Sequence, residues 1–252
     1  MEENKTFGLS SFWLKIIAIV FMTLDHVTFV WYSNIDPSVA LYLRSLGRIT
    51  FPVMVFLLTE GYVYTSNRIK YAGRLFVFAL ISMIPFYLLH DEPWNVMFTL
   101  FVGLVLLIIK DECVACFKQV DEKLWLVLFL FIAAAISWLM DAVDWGFPGV
   151  LAIYAGGQVK DRKLRVLMIS GVLFGGSIFE VIIERTLVIS DVVFYSGIAL
   201  SAIILLLYNG ELGYTSKGKM KYAFYIYYPF HLFVIAMVWW FSEYGFAFTF
   251  GL

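Results

Sequence analysis

The chain returns again and again to apolar stretches whose length matches the thickness of a lipid bilayer. A hydrocarbon core of about 30 Å takes roughly 20 such residues as a helix, and fewer where neighbouring helices cover the ends. Nine stretches qualify, near 13–32, 48–66, 72–90, 94–109, 124–140, 145–158, 164–183, 187–208 and 222–243. The sixth is short and rich in glycine, as expected of a half-span or re-entrant element covered by its neighbours. Composition closes off a soluble fold. Hydrophobic residues make up 62% of the chain, charged residues only 15%, and the mean hydropathy is +0.86. A soluble domain is about 45–50% apolar and about 25% charged. The first apolar run follows a short polar leader without a small-residue cleavage site, so it reads as a retained helix. Without a linker or an internal repeat, the reading is all-α: one polytopic transmembrane helical bundle of about nine spans, forming a single domain over 1–252.

A net charge of −1 gives no reason to expect nucleic acid as a partner, and the placement of the charges says more. Basic residues gather in alternate loops: Arg68, Lys70 and Arg74; Lys110, Lys118 and Lys123; Lys160, Arg162, Lys163 and Arg165; Lys217, Lys219 and Lys221. The intervening loops hold Arg44, Arg48 and Arg185 beside Asp36, Asp91, Glu92, Asp141 and Asp144. By the positive-inside rule the N-terminus and the basic loops lie in the cytoplasm and the C-terminus outside.

Ionisable groups inside spans cost about 2.5–3.5 kcal/mol each on insertion scales, so each is a functional candidate. Asp25 and His26 lie in the first span, and Lys15 stands eleven residues before His26, about three turns away and nearly on the same face. Histidine is suited to take and return a proton near neutral pH, and an adjacent carboxylate either tunes it or pairs with an arginine. A buried polar pair that merely locks two helices is the bland alternative. Arg44 and Arg48 share a face at the mouth of the second span, as a functional pair or as interfacial cations, and Glu60 lies deeper. In the last span Tyr228, Pro229 and His231 form either a proline kink with satisfied aromatics or part of a ligand wall. Asn95 and Thr99 share a face, as do Glu180 and Glu184, while His90 reads as a solvated loop residue. Cys113 and Cys116 form a lone CxxC and read as loop thiols. Neither a metal-ligand signature nor a phosphate-binding loop occurs, so no metal is expected.

The strings Leu-Lys-Ile-Ile-Ala-Ile-Val-Phe-Met-Thr-Leu-Asp-His over 14–26, Leu-Arg-Ser-Leu-Gly-Arg-Ile-Thr-Phe-Pro over 43–52 and Leu-Thr-Glu-Gly-Tyr over 58–62 together resemble the TraX family. So do Asn95 with Phe98-Thr99, and Tyr225 with Tyr228-Pro229 and His231-Leu232. The resemblance implies a bacterial cytoplasmic-membrane acetyltransferase with acetyl-CoA as donor, the family's named activity being acetylation of conjugative pilin. It extends distantly to the membrane acyltransferase-3 group, whose first span carries a basic residue and, eleven positions later, a histidine. Lys15 and His26 match that spacing, with lysine where arginine is usual. On this reading His26 is the general base, oriented by Asp25. Arg44 and Arg48 stabilise negative charge or hold the acceptor, an unidentified peptide, glycan or small molecule. Lys15, Arg68, Lys70 and Arg74 meet the CoA phosphates, and Glu60, Asn95, Tyr228 and His231 line the cavity. The rival reading is a proton-coupled small-molecule transporter, which needs the same buried groups.

Overall fold

A computed structural model describes residues 8–139, 143–213 and 220–244. Asp141, Lys217, Lys219 and the C-terminus used in the charge reading lie outside the described residues. Among the described residues ten α-helices follow one another: α1 (Ser11–Val30), α2 (Pro37–Gly47), α3 (Thr50–Tyr64), α4 (Arg68–His90), α5 (Val96–Cys116), α6 (Glu122–Leu139), α7 (Gly146–Gln158), α8 (Arg162–Glu184), α9 (Ile189–Leu206) and α10 (Met220–Tyr244). Short polar side chains start several of them. Asp36 accepts from the Ser38 and Val39 amides with Pro37 at the first helical position, and Asn67, Asn95 and Asp161 cap α4, α5 and α8 in the same manner.

Among the described residues seven segments are long and apolar enough to cross a bilayer: α1, α2 with α3 as one stretch, α4, α6, α8, α9 and α10. Their outer faces fit that reading, since Leu139, Ile189, Ile84 and Phe131 stand largely exposed, an arrangement lipid tolerates and water does not. The fourth and sixth expected spans are also helical but differ in kind. α5 runs past its apolar part to Cys116 and carries Lys110, Asp111 and Glu112, so Cys113 and Cys116 sit in its last turns and not in a loop. α7 has only 13 residues, about 20 Å of helix, and is wrapped by α3, α5, α6 and α8. Its Val150, Ala152 and Ile153 are fully buried, and the Tyr154 hydroxyl donates to the Leu126 carbonyl on α6.

The second expected span is extended in an instructive way. Helix begins at Pro37, eleven residues before the expected start at 48, and only a break at Arg48–Ile49 separates α2 from α3. Arg44 and Arg48 therefore lie about two to three turns inside a 28-residue stretch instead of at its mouth. α2 is held between α1 and α9, and glycines set both spacings. A Cβ on Gly47 would fall on the Asp25 side chain of α1, and one on Gly197 of α9 would fall on the Ser45 carbonyl of α2. Gly197→Ala is expected to lower stability by about 1–3 kcal/mol through overpacking, read as a fall in Tm in detergent. Gly73→Ala, whose added Cβ meets nothing within 4 Å, should leave Tm unchanged or higher.

Candidate functional site

Asp25 and His26 are neighbours in sequence, but successive residues on a helix point about 100° apart. They accordingly serve different partners. The Asp25 carboxylate accepts from Arg44 Nε at 2.9 Å and from Arg48 Nη2 at 2.6 Å. Two cations on one anion leave a net positive group, and aromatic faces surround it. Arg44 lies 4.9 Å from the Phe29 ring, and Arg48 lies 4.8 Å from Phe194 and 5.2 Å from Trp145. Asp25 is thus a partner of the arginines, the second of the two roles its sequence position offered, and makes no hydrogen bond to His26, so the expected orienting role is not seen.

His26 turns to α10. Its Nδ1 lies 3.1 Å from His231 Nε2, and His231 Nδ1 lies 2.9 Å from the Tyr227 carbonyl. The Tyr227 ring stacks on His231, and its hydroxyl shares a 2.7 Å hydrogen bond with Thr23 of α1. His90 joins from α4. Its ring is stacked between Phe29 and Phe86 and meets His26 edge-on, with centroids 5.6 Å apart, so it is no solvated loop residue. All three histidines of the chain therefore converge. Spacing along the sequence could not show this, because the contact depends on how α1, α4 and α10 pack.

A cavity of about 610 Å³ runs beside this cluster. Lys15, Glu60 and Arg74 line it together with Asp25, His26, Arg48, Asp144 and Tyr228, and most of the remaining wall is apolar. Lys15 and His26, three turns apart on α1, share it as their spacing suggested. The other expected residues divide. Neither Arg68 nor Lys70 lines the cavity. The Arg68 guanidinium binds Asp111 at 2.9 Å and covers the Tyr62 ring, because α5 extends far enough to present that carboxylate. Lys70 is exposed. Asn95 is fully buried, accepting from the Met97 amide and donating to the Ala79 carbonyl, so its place is at the start of α5 and not in the wall. Arg44 and His231 stand behind the residues that form the wall.

Other groups were not expected. Arg165, read as a loop cation, lies buried in the first turn of α8 and forms an ion pair with Glu60. Trp145 holds a left-handed backbone (φ 60°), rare for a bulky residue and sustained only by its surroundings. Its ring stacks on Phe51. Trp145, Asp144 and Arg48 also bound a second, polar pocket of about 220 Å³ that includes Ser177, Glu180 and Glu184. The two pockets therefore share one charged wall. Burial raises the Asp144 carboxyl to about 6, with Arg48 acting in the opposite direction. The folded chain thus holds that proton more tightly than the unfolded chain, and the ionised carboxylate subtracts stability above about pH 6. Asp144→Asn should accordingly raise Tm at about pH 8, with the gain shrinking as pH falls through 6 toward 4. Asp25→Ala, by contrast, strands two largely but not fully buried guanidinium groups and should cost up to about 3–5 kcal/mol, measured as loss of Tm in the same detergent.

An apolar-faced helical bundle with a charged network and a cavity inside it is a multi-pass integral membrane protein with an internal polar site. The chain belongs to the TraX family, whose description, TraX protein, matches residues 10–239. It is 31% identical over 250 residues to the probable fimbrial assembly protein FimC, serogroup H1, of Dichelobacter nodosus, covering 91% of this chain and 95% of that protein. No solved structure matches the chain.

Proposed function

We propose that this protein is an integral membrane acetyltransferase of the bacterial cytoplasmic membrane, moving an acetyl group from acetyl-CoA to an amine or hydroxyl of a membrane or extracytoplasmic acceptor. One observation carries the reading: a single cavity is lined by Lys15, by Arg74 and by His26, which lies about 17 Å farther along α1 than Lys15. Phosphates would meet the cations, and the mostly apolar wall between suits a pantetheine arm. The basic loops and the N-terminus would face the cytoplasm, where the donor is made, and the C-terminus would lie outside. Of the four expected donor-binding cations, Lys15 and Arg74 line the cavity, Lys70 lies outside its wall and Arg68 is engaged by Asp111.

In the transfer, His26 takes the proton of the acceptor N–H or O–H as that atom attacks the thioester carbonyl. The new C–N or C–O bond forms and the C–S bond breaks, leaving the CoA thiolate, to which His26 returns the proton. Arg48 lines the cavity, and its guanidinium charge, shared with Asp25, would favour negative charge on the carbonyl oxygen. The name of the Dichelobacter relative makes a fimbrial subunit the first acceptor to try. Purified protein in lipid nanodiscs should transfer label from acetyl-CoA, and His26→Ala should lose about 10²-fold or more of that rate. Equal rates for the two proteins across peptide, glycan and small-molecule acceptors would overturn the assignment. Substrate flux in proteoliposomes without acetyl-CoA consumption would instead establish the proton-coupled transporter.

A further inference from the structure

We infer that His231 is a positioning residue that fixes the tautomer of His26, leaving His26 Nε2 as the atom that accepts a proton. The argument begins at a backbone oxygen. A carbonyl only accepts, so His231 Nδ1, at 2.9 Å from the Tyr227 carbonyl, carries the hydrogen. A neutral imidazole has one N–H, which leaves a lone pair on His231 Nε2. That lone pair faces His26 Nδ1 at 3.1 Å, and the contact is a hydrogen bond only if His26 Nδ1 is the donor. The hydrogen of His26 is then accounted for, and its Nε2 bears a lone pair. No protein hydrogen bond engages Nε2 among the described residues, and His26 itself lines the cavity. His231 is 4% exposed and does not line the cavity, so it acts through His26 alone.

The supports of His231 are unusually complete. Its ring stacks on the Tyr227 ring of its own helix at a 7° interplanar angle, and Thr23, one turn before His26, holds the Tyr227 hydroxyl. Two contacts thus tie α1 to α10 at one level, one setting the height of Tyr227 and the other the state of His26. When Nε2 gains the acceptor's proton, the His26 imidazolium keeps its Nδ1–H on the His231 lone pair, and the developing charge meets an acceptor already in place. This catalytic consequence rests on the acyl-transfer reading, whereas the tautomer does not.

With only three histidines, the chain suits ¹⁵N-histidine solid-state NMR in lipid bilayers, using His90→Phe and His231→Gln for assignment. His26 and His231 should both show the Nδ1–H tautomer, against the Nε2–H form that unconstrained side chains favour. In His231→Phe, His26 should revert toward Nε2–H, and kcat should fall on the order of 10–100-fold with KM for acetyl-CoA unchanged. His231→Gln, whose side-chain carbonyl can accept the same hydrogen, should keep the His26 tautomer and recover part of kcat. An Nε2–H signal for His26 in the wild type, or a tautomer indifferent to residue 231, overturns the inference even if acetyl transfer is observed. The expected tautomers in a protein that transfers nothing would uphold it and remove the enzymatic reading alone.

Discussion

Charge inside a bilayer must be paired where it stands, and the Asp25 carboxylate partners two arginines, Arg44 in α2 and Arg48 just after it, leaving one positive charge over. α2 and the break after it carry Arg44 and Arg48 into the interior, and without an anion at that level the stretch from Pro37 to Tyr64 would place two bare guanidinium groups among apolar side chains. With Asp25 present, the helix can run through. Gly47 and Gly197 then allow α1 and α9 to close on either side. The cavity owes its position to this arrangement, since Asp25, Gly47 and Arg48 are part of its wall. The same net positive group faces a shared partition with the acidic pocket bounded by Asp144, Glu180 and Glu184.

Much of the architecture could be read from the chain because lipid imposes a simple length rule. Helical segments cover all nine apolar stretches, and single-helix character follows from composition alone. Errors arose where tertiary partners override that rule. The charge of Arg44 placed 37–47 in a loop, yet the segment is helical, started by the Asp36 cap with Pro37 and carrying Arg44 onto Asp25. α5 continues through Lys110 because that lysine finds Asp111 and Glu122 at its end of the bundle.

The site divides along the same line. His26 with Lys15 was legible from helical periodicity, and Glu60 and Arg48 from the cost of burying them. The identity of each partner was not. Adjacency left Asp25 between tuning His26 and pairing with an arginine, and helical geometry decides for the arginines and gives His26 to His231, 205 residues away. Arg165 looked like any basic loop residue until α8 brought it onto Glu60. Asn95 stood out as a polar residue in an apolar run, but its amide is consumed at a helix start and by the Ala79 carbonyl.

The short helix at the centre has a bearing on biogenesis. α7 offers the insertion machinery only 13 residues, and its surface is designed for protein and not for lipid. Its most extensive neighbour, α8, is made after it, while α3, α5 and α6 are made before. During synthesis, therefore, α7 has no stable place in the bilayer until α8 emerges to cover its remaining face. The bundle must assemble around its own middle, with the late helices α8, α9 and α10 completing a core that the early helices can only leave open.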